Sequence, residues 1–364
     1  MDPHLVTARL IVGLMLIVGI AAGTACGDAT VSDKTGSNVT VLRFATIDTL
    51  NPNGEIVAPT AFVDALARLS GGRMRVTVLD HYGDAAATAE SDMVTSMAAG
   101  QLDGGFPATR AFSRAGLRGL EPVEAPFIIT NYAAQKTLAG GSGARRVLAT
   151  LDGSGVIGLG LAVGPLRRPW SATDPMTDLR HWRGVSIRTF HSPVQEAAIR
   201  ALGGVPVNAS YGFPDLVRSG HLQAVEIDVA QYARNGYGTL LPGLTGNVVL
   251  WPRMPVIAMS RTRFEALPAQ QRAWVRAAAA DAVRASVDHA YDDSAIAQRL
   301  CRQGVRVADT TPEQLAQLRR AVQPVLDGLA HDPATAASLT EVLRAAASSP
   351  PDLLDVPASC RRPA

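Results

Sequence analysis

The residues best placed to do chemistry in this 364-residue chain are arginines at the ends of strand-like runs. Arg188 closes the run Val185-Ser186-Ile187, and open α/β sheets bind ligands at the carboxyl ends of their strands. Arg167-Arg168 follows a run that closes at Gly164, where the chain is expected to pass between two lobes. A guanidinium presents a planar fork of donors that matches a carboxylate. The competing use of such an arginine is a structural ion pair. Phe190 and His191, just beyond Arg188, offer an aromatic or hydrogen-bonding edge. Trp251 begins the return of the chain and is a further candidate to line a cleft. Core packing is the ordinary alternative for both aromatics.

The signatures of catalysis are missing. There is no Gly-x-Ser-x-Gly elbow, no Walker loop and no His-Glu-x-x-His. The histidines His4, His81, His181, His191, His221, His289 and His331 form no pair at metal-ligand spacing. Lys34 and Lys136 are the only lysines, and no glycine-rich loop precedes either. P-loop and Schiff-base chemistry are thereby set aside. Gly158-x-Gly160-x-x-x-Gly164 falls one residue off the dinucleotide fingerprint, and Pro165 follows where a helix would have to receive a phosphate. The expectation is a binding protein, not an enzyme, with no catalytic residue, no metal and no cofactor.

The elements that must position these arginines are read from periodicity. Apolar residues make up 47% and charged residues 18%, a composition that buries a core, and the net charge of +2 asks for no nucleic acid. Val41–Ala45 is a strand. Pro59 opens a helix with Phe62, Ala65, Leu66 and Leu69 on one face, ended by Gly71-Gly72. Arg73–Leu79 alternates as a strand, a helix runs from Glu90 to Ala99, and Gly104-Gly105-Phe106 begins another strand. This β-α-β-α-β order predicts a parallel sheet with helices on both faces. A second α/β lobe is read in strands at Val156–Val163, Val185–Phe190, Val205–Val207 and Ala224–Val229, with helices at Val194–Leu202 and Asp215–Arg218. Val256–Ser260 returns as a strand, and Pro268–Gln303 reads as one long helix free of internal Gly or Pro, able to run along both lobes. Val305–Val307 is a last strand before Thr311-Pro312-Glu313-Gln314, a capping box.

Taken in order, these pieces resemble the TRAP-transporter extracytoplasmic solute receptors of the dicarboxylate- and sialic-acid-binding type. The resemblance rests on Ser70-Gly71-Gly72-Arg73-Met74, Gly100-Gln101-Leu102-Asp103 and Ala125-Pro126-Phe127-Ile128. It continues through Trp182-Arg183-Gly184-Val185-Ser186-Ile187-Arg188, Leu202-Gly203-Gly204-Val205-Pro206-Val207 and Leu267-Pro268-Ala269-Gln270-Gln271. It implies a two-lobed periplasmic-binding fold that closes on a small carboxylate, with a long helix spanning both lobes, and hands the ligand to a TRAP-type permease. A binding protein of an ABC-type importer, or a sensory receptor, is the alternative for the same fold. By resemblance Arg188 grips the ligand carboxylate. A second family arginine falls on Arg168, with Arg167 as the near alternative. The family's Asp-Gly-x-Glu-Asn is replaced here by Gln223-Ala224-Val225-Glu226-Ile227, which keeps the glutamate, loses the asparagine and predicts a less polar wall there.

The expected organisation is a signal peptide over 1–25, a tether over 26–40, lobe I over 41–164 plus 254–285, lobe II over 165–253 plus 286–347, and an extended tail over 348–364. The apolar run Leu10–Ala22 is shorter than the ~20 residues a spanning helix needs. Gly23-Thr24-Ala25 before Cys26 resembles a lipobox, which implies an exported lipoprotein held at the membrane only by a lipid on Cys26. Export permits a Cys301–Cys360 disulfide; two unrelated thiols is the other possibility.

Overall fold

Alternating and helical apolar patterns resolve into two sheets in a computed structural model, which describes residues 39–50, 56–84, 86–347 and 349–361. The expected signal peptide, Cys26 and most of the tether lie outside the described residues. The first lobe is built from β1 (Thr40–Ala45), α1 (Ala58–Leu69), β2 (Met74–Leu79), α2 (Ala89–Ala98), β3 (Gly104–Gly105), α3 (Tyr132–Gly140), α4 (Ser142–Ala149) and β4 (Val156–Leu161). The second lobe follows with β5 (Leu166–Ser171), α5 (Leu179–Trp182), β6 (Ser186–Thr189), α6 (Pro193–Ala201), β7 (Val205–Asn208), α7 (Phe213–Arg218), β8 (Ala224–Ile227), α8 (Val229–Arg234), β9 (Gly243–Thr245) and β10 (Trp251–Pro252). The chain then returns through β11 (Val256–Ser260), α9 (Arg261–Ala266) and α10 (Ala269–Asp288), and goes on to α11 (Asp293–Arg302), β12 (Arg306–Ala308), α12 (Pro312–Ala321), α13 (Gln323–His331) and α14 (Ala336–Ala346).

The first sheet runs β2-β1-β3-β11-β4. Its early strands are parallel as expected, but β11 is antiparallel to both β3 and β4, so the sheet is mixed. The reason is topological: β4 leaves this lobe and β11 comes back into it, so the two must run in opposite directions. The second sheet runs β12-β9-β5-β8-β6-β7, with β10 against β5. Helices cover both faces of each sheet. Phe62, Leu66 and Ala278 bury one face of the first with Phe44, and Met93, Val94 and Val147 bury the other with Val256. Phe213, Tyr232 and Leu300 cover one face of the second sheet, and Trp182, Ile199 and Leu318 the other.

The lobes are joined where β4 runs into β5 and β10 into β11. Here Gly164 has no room for a side chain, since a Cβ would stand 1.9 Å from the carbonyl oxygen of Arg253. The glycine series Gly158, Gly160 and Gly164 therefore serves close packing, against Leu148, Val283 and Arg253 respectively.

Two expectations need correction. The long helix is two helices, broken at His289–Asp292. His289 leaves helical geometry with ψ 134°, and the Asp292 side chain caps α11 by accepting from the Ala295 amide at 2.9 Å. Tyr291 in the break stacks on Tyr132 of the first lobe, ring centroids 4.1 Å apart. Next, α14 was assigned with the second lobe, yet it buries Val342 and Ala345 in the first lobe's core, so the chain crosses back once more. The tail packs onto the body of the protein. Leu354 and Val356 are buried in the second lobe's core, and Cys360 is disulfide-bonded to Cys301 with Cα atoms 5.7 Å apart. The Asp352 amide donates to Thr130 O, and the Asp352 carboxylate accepts from the Tyr132 amide, so the tail straps the first lobe to the second.

Candidate functional site

The segments that follow the carboxyl ends of the parallel strands β1, β2, β7 and β8 line a cleft of about 390 Å³, a size suited to a small molecule. Thr46, Asp48 and His81 line it from the first lobe, and Tyr211, Gln231 and Asn235 from the second. Tyr211 reaches across, its hydroxyl donating to Asp48 Oδ1 at 2.7 Å. Arg253, at the crossing, holds the other Asp48 oxygen at 2.5 Å. Burial alone would raise the Asp48 carboxyl, but Arg253 and Tyr211 beside it hold it below the usual range.

Behind Gln231 lies a buried cluster of arginines. Strand alternation places Glu226 and Asp228 on one side of β8 and its continuation, and Arg167 of the neighbouring β5 meets both. Arg167 donates to Glu226 Oε2 at 2.7 Å, Asp228 Oδ2 at 2.9 Å and Gln231 Oε1 at 3.0 Å. Arg188, at the end of β6, bends round the end of β8 and donates to the Glu226 carbonyl at 2.7 Å. Arg167 and Arg188 are 0% and 1% exposed. Burial would raise Glu226, but the two guanidiniums keep it ionised and below the usual range. Burial pushes Arg188 down to about 9 against the pull of Glu226, with Arg167 and Arg110 adding to the fall. A guanidinium whose charge is disfavoured by burial is stabilised by a nearby anion.

The structure therefore brings Arg167, Arg188 and Phe190 together but places Arg168 elsewhere. Adjacent strand residues face opposite sides, and Arg168 sits opposite Ile227, donating to Gly246 O at 2.6 Å and to Asp352 O of the tail at 2.9 Å. Arg168 therefore faces away from the Arg167 and Arg188 cluster. Trp251 does not line the cleft: it is 1% exposed, and its indole Nε1 donates to Glu226 Oε2 at 3.3 Å, bracing the carboxylate from behind. Ile227 is buried in the second lobe's core, while Gln231 lines the cleft. His191 contributes backbone, its amide donating to Asn208 Oδ1 and its carbonyl accepting from Arg114 of the first lobe.

Sequence reasoning missed Arg110, which lies in a short turn at Thr109–Ala111 with no periodic pattern around it. It is 3% exposed, paired with Glu90 of α2 at 2.5 Å, and its guanidinium lies 3.6 Å from the centre of the Phe190 ring. Glu124 was missed too. This buried carboxyl accepts from Thr109 on its own side and from Ser192 and Gln195 of the second lobe, at 2.9 to 3.1 Å. Burial pushes Glu124 up to about 8 despite the nearby Arg110. No group of three or more His, Cys, Asp or Glu among the described residues could hold a metal ion.

Residues 49–332 match the family profile of the bacterial extracellular solute-binding proteins, family 7. The chain belongs to this family. No curated protein matches it in sequence. In fold, this family 7 protein is similar to a sugar-acid-binding protein of Advenella mimigardefordensis solved with galactonate, at 19% identity and a TM-score of 0.72, covering 85% of this chain and 98% of that one. A TRAP periplasmic solute-binding protein of Ralstonia eutropha H16 with bound (S)-2-acetolactate aligns at 19% identity and a TM-score of 0.74, covering 85% and 99%. A third, from Xanthobacter autotrophicus Py2 with bound β-D-galacturonate, gives 18% identity, a TM-score of 0.72, and coverage of 85% and 100%. The family 7 assignment makes the chain a solute-binding receptor rather than an enzyme, with the two-lobed architecture of periplasmic binding proteins.

Proposed function

We propose that this receptor captures a small organic carboxylate between its lobes and delivers it to a TRAP-type membrane permease. The observation that carries the reading is the convergence of Arg110, Arg167 and Arg188 at the strand ends, with Arg188 Nε and Arg110 Nη2 buried and without a hydrogen-bond partner among the described residues. A buried, unmade charged hydrogen bond is costly, and each one completed by a ligand oxygen contributes roughly 1.5–3 kcal/mol. Asp48, Tyr211, Gln231 and Asn235 give the cleft donors and acceptors for a hydroxylated or keto-bearing body.

Closure follows from the same geometry. The bonds from Tyr211 to Asp48, from Ser192 to Glu124 and from Arg114 to Glu196 exist only while the lobes meet. A ligand touching both lobes adds to them and shifts the population towards the closed form. An export signal ending at Ala25 and a lipid on Cys26 would place the receptor outside the cytoplasm beside its permease.

The test is a thermal-shift screen of the mature chain against galactonate, D-glucuronate, β-D-galacturonate, 2-acetolactate and pantoate, with neutral sugars and nucleotides as controls. A carboxylate at a hundred times its Kd raises stability by about 2.7 kcal/mol. Hits among neutral sugars or nucleotides alone would overturn the arginine-anchored reading.

A further inference from the structure

One side chain stands where the ligand carboxylate of the proposed function is expected. The Phe190 ring lies 3.6 Å from the Arg110 guanidinium, 4.3 Å from that of Arg188 and 5.5 Å from that of Arg167, centroid to Cζ. Glu226, Asp228 and Gln231 engage Arg167 Nε, Nη1 and Nη2, Glu90 engages Arg110 Nε, and Glu226 engages Arg188 Nη2. Arg110 Nη2 and Arg188 Nε are buried without a hydrogen-bond partner, and they belong to the two guanidiniums that flank the ring most closely. An aromatic face offers a guanidinium its quadrupole but no lone pair. It neutralises part of the charge and leaves both donors unbonded.

The backbone around Phe190 is pinned, while the side chain is not. Thr189 Oγ1 donates to Asn208 Oδ1 at 2.7 Å, the His191 amide donates to the same oxygen at 2.7 Å, and the His191 carbonyl accepts from Arg114 at 3.1 Å. His191 holds a left-handed φ of 57°, and Ser192 caps α6 immediately after. Phe190 sits between these anchors, outside β6 and before α6, with its ring only partly buried. Rotation about its own side-chain bonds suffices to move the ring, with no change of backbone.

We infer that Phe190 is a displaceable plug of the anion site: its ring occupies the space between Arg110 and Arg188, and an entering carboxylate drives it out and takes both donors. The inference rests on the carboxylate reading and deepens it in two ways. Affinity is set by competition between ring and ligand, so Phe190 determines how strong a carboxylate must be to bind. Glu90, Glu226 and Asp228 already offset the charge of the three arginines, so the single charge of a carboxylate costs less to bury there than the double charge of phosphate.

The experiment titrates acetate and inorganic phosphate into the mature chain and its Phe190→Ala, Phe190→Leu and Arg188→Ala variants by calorimetry, with melting curves to confirm folding. Phe190→Ala is expected to bind acetate at least ~10-fold more tightly than the native chain, the equivalent of losing one desolvated cation–π competitor, with Phe190→Leu between them and no gain for phosphate. With p-fluorophenylalanine at position 190, the fluorine resonance is expected to shift as acetate is added. Unchanged or weaker acetate binding in both Phe190 variants, or a fluorine signal that stays put at saturation, overturns the plug. A gain for phosphate equal to that for acetate overturns the monoanion selectivity. If Phe190→Ala does not fold, Phe190→Leu decides by the same criterion. Failure of the underlying reading looks different: Arg188→Ala then binds acetate as the native chain does, whatever the Phe190 variants do.

Discussion

Arg167 and Arg168 are neighbours in one strand, both fully buried, and they do opposite work. Arg167 faces the cleft side and is surrounded by carboxylates, Glu226 and Asp228, as part of a cluster whose flanking arginines keep spare donors. Arg168 faces the core side and is held by two backbone carbonyls, Gly246 O and Asp352 O, one of them in the strap that ties the lobes together. The first arrangement is the one the proposed carboxylate site uses. The second uses a charge to fix a connection, and burial accordingly pushes Arg168 below its ordinary range. A single step of strand alternation thus gives two identical side chains opposite faces and different partners.

The largest break in this comparison is expected from Arg167→Ala. It strips Glu226 and Asp228 of a fully buried partner, so stability should fall by about 3–5 kcal/mol and carboxylate affinity by ~100-fold or more, read by denaturant melts and calorimetry. Next comes the strap. Replacing Cys301 and Cys360 by serine opens a loop spanning a sequence separation of 59. Chain entropy then predicts a loss of about 4 kcal/mol, with ligand affinity in the still-folded protein within ~2-fold of native. Arg168→Met should cost about 3 kcal/mol by leaving two buried carbonyls unpaired, again without a matching loss of affinity. Should Arg168→Met weaken binding as much as Arg167→Ala, the division between the two faces is wrong.

The smallest effect concerns Glu124, the carboxyl shared between the lobes. Its folded-state pKa of about 8 lies above the ordinary 4.5, so between these values the folded chain holds a proton that the unfolded chain has lost. Stability should therefore fall as pH rises through that window and level off above it. The fall is at most about 2 kcal/mol between roughly pH 6 and 7.5, and Glu124→Gln should flatten it in melts across pH. A slope unchanged in Glu124→Gln would show that the carboxyl titrates normally.

Much of this was legible in the chain. The sequence patterns gave β1, β2, β6, β11 and α1 nearly to the residue: β1, β2 and α1 have one more exposed face, β11 is a short apolar run that reads as a buried strand, and β6 is short and mostly buried. Arg188 was found because it ends a strand in a setting where strand ends bind ligands. Strand β5 was missed: Leu166–Ser171 is buried on both faces and carries two arginines and a proline, which hides alternation. Without that strand, sequence counting could not say which of Arg167 and Arg168 turns inward. The break at His289–Asp292 had one signal, an aspartate able to cap, inside a run whose alanines argued for continuity. Arg110 and Glu124 gave no local signal, since their roles arise only when a turn of the first lobe meets the second.

The central claim is that the cleft-side arginines bind the ligand and the strap-side arginine does not. It is tested most directly by calorimetric titration of native, Arg188→Ala and Arg168→Met proteins with the carboxylate that stabilises the native chain most. The account predicts a loss of ~100-fold or more for Arg188→Ala and a change within ~2-fold for Arg168→Met. Native-like affinity in Arg188→Ala would contradict it.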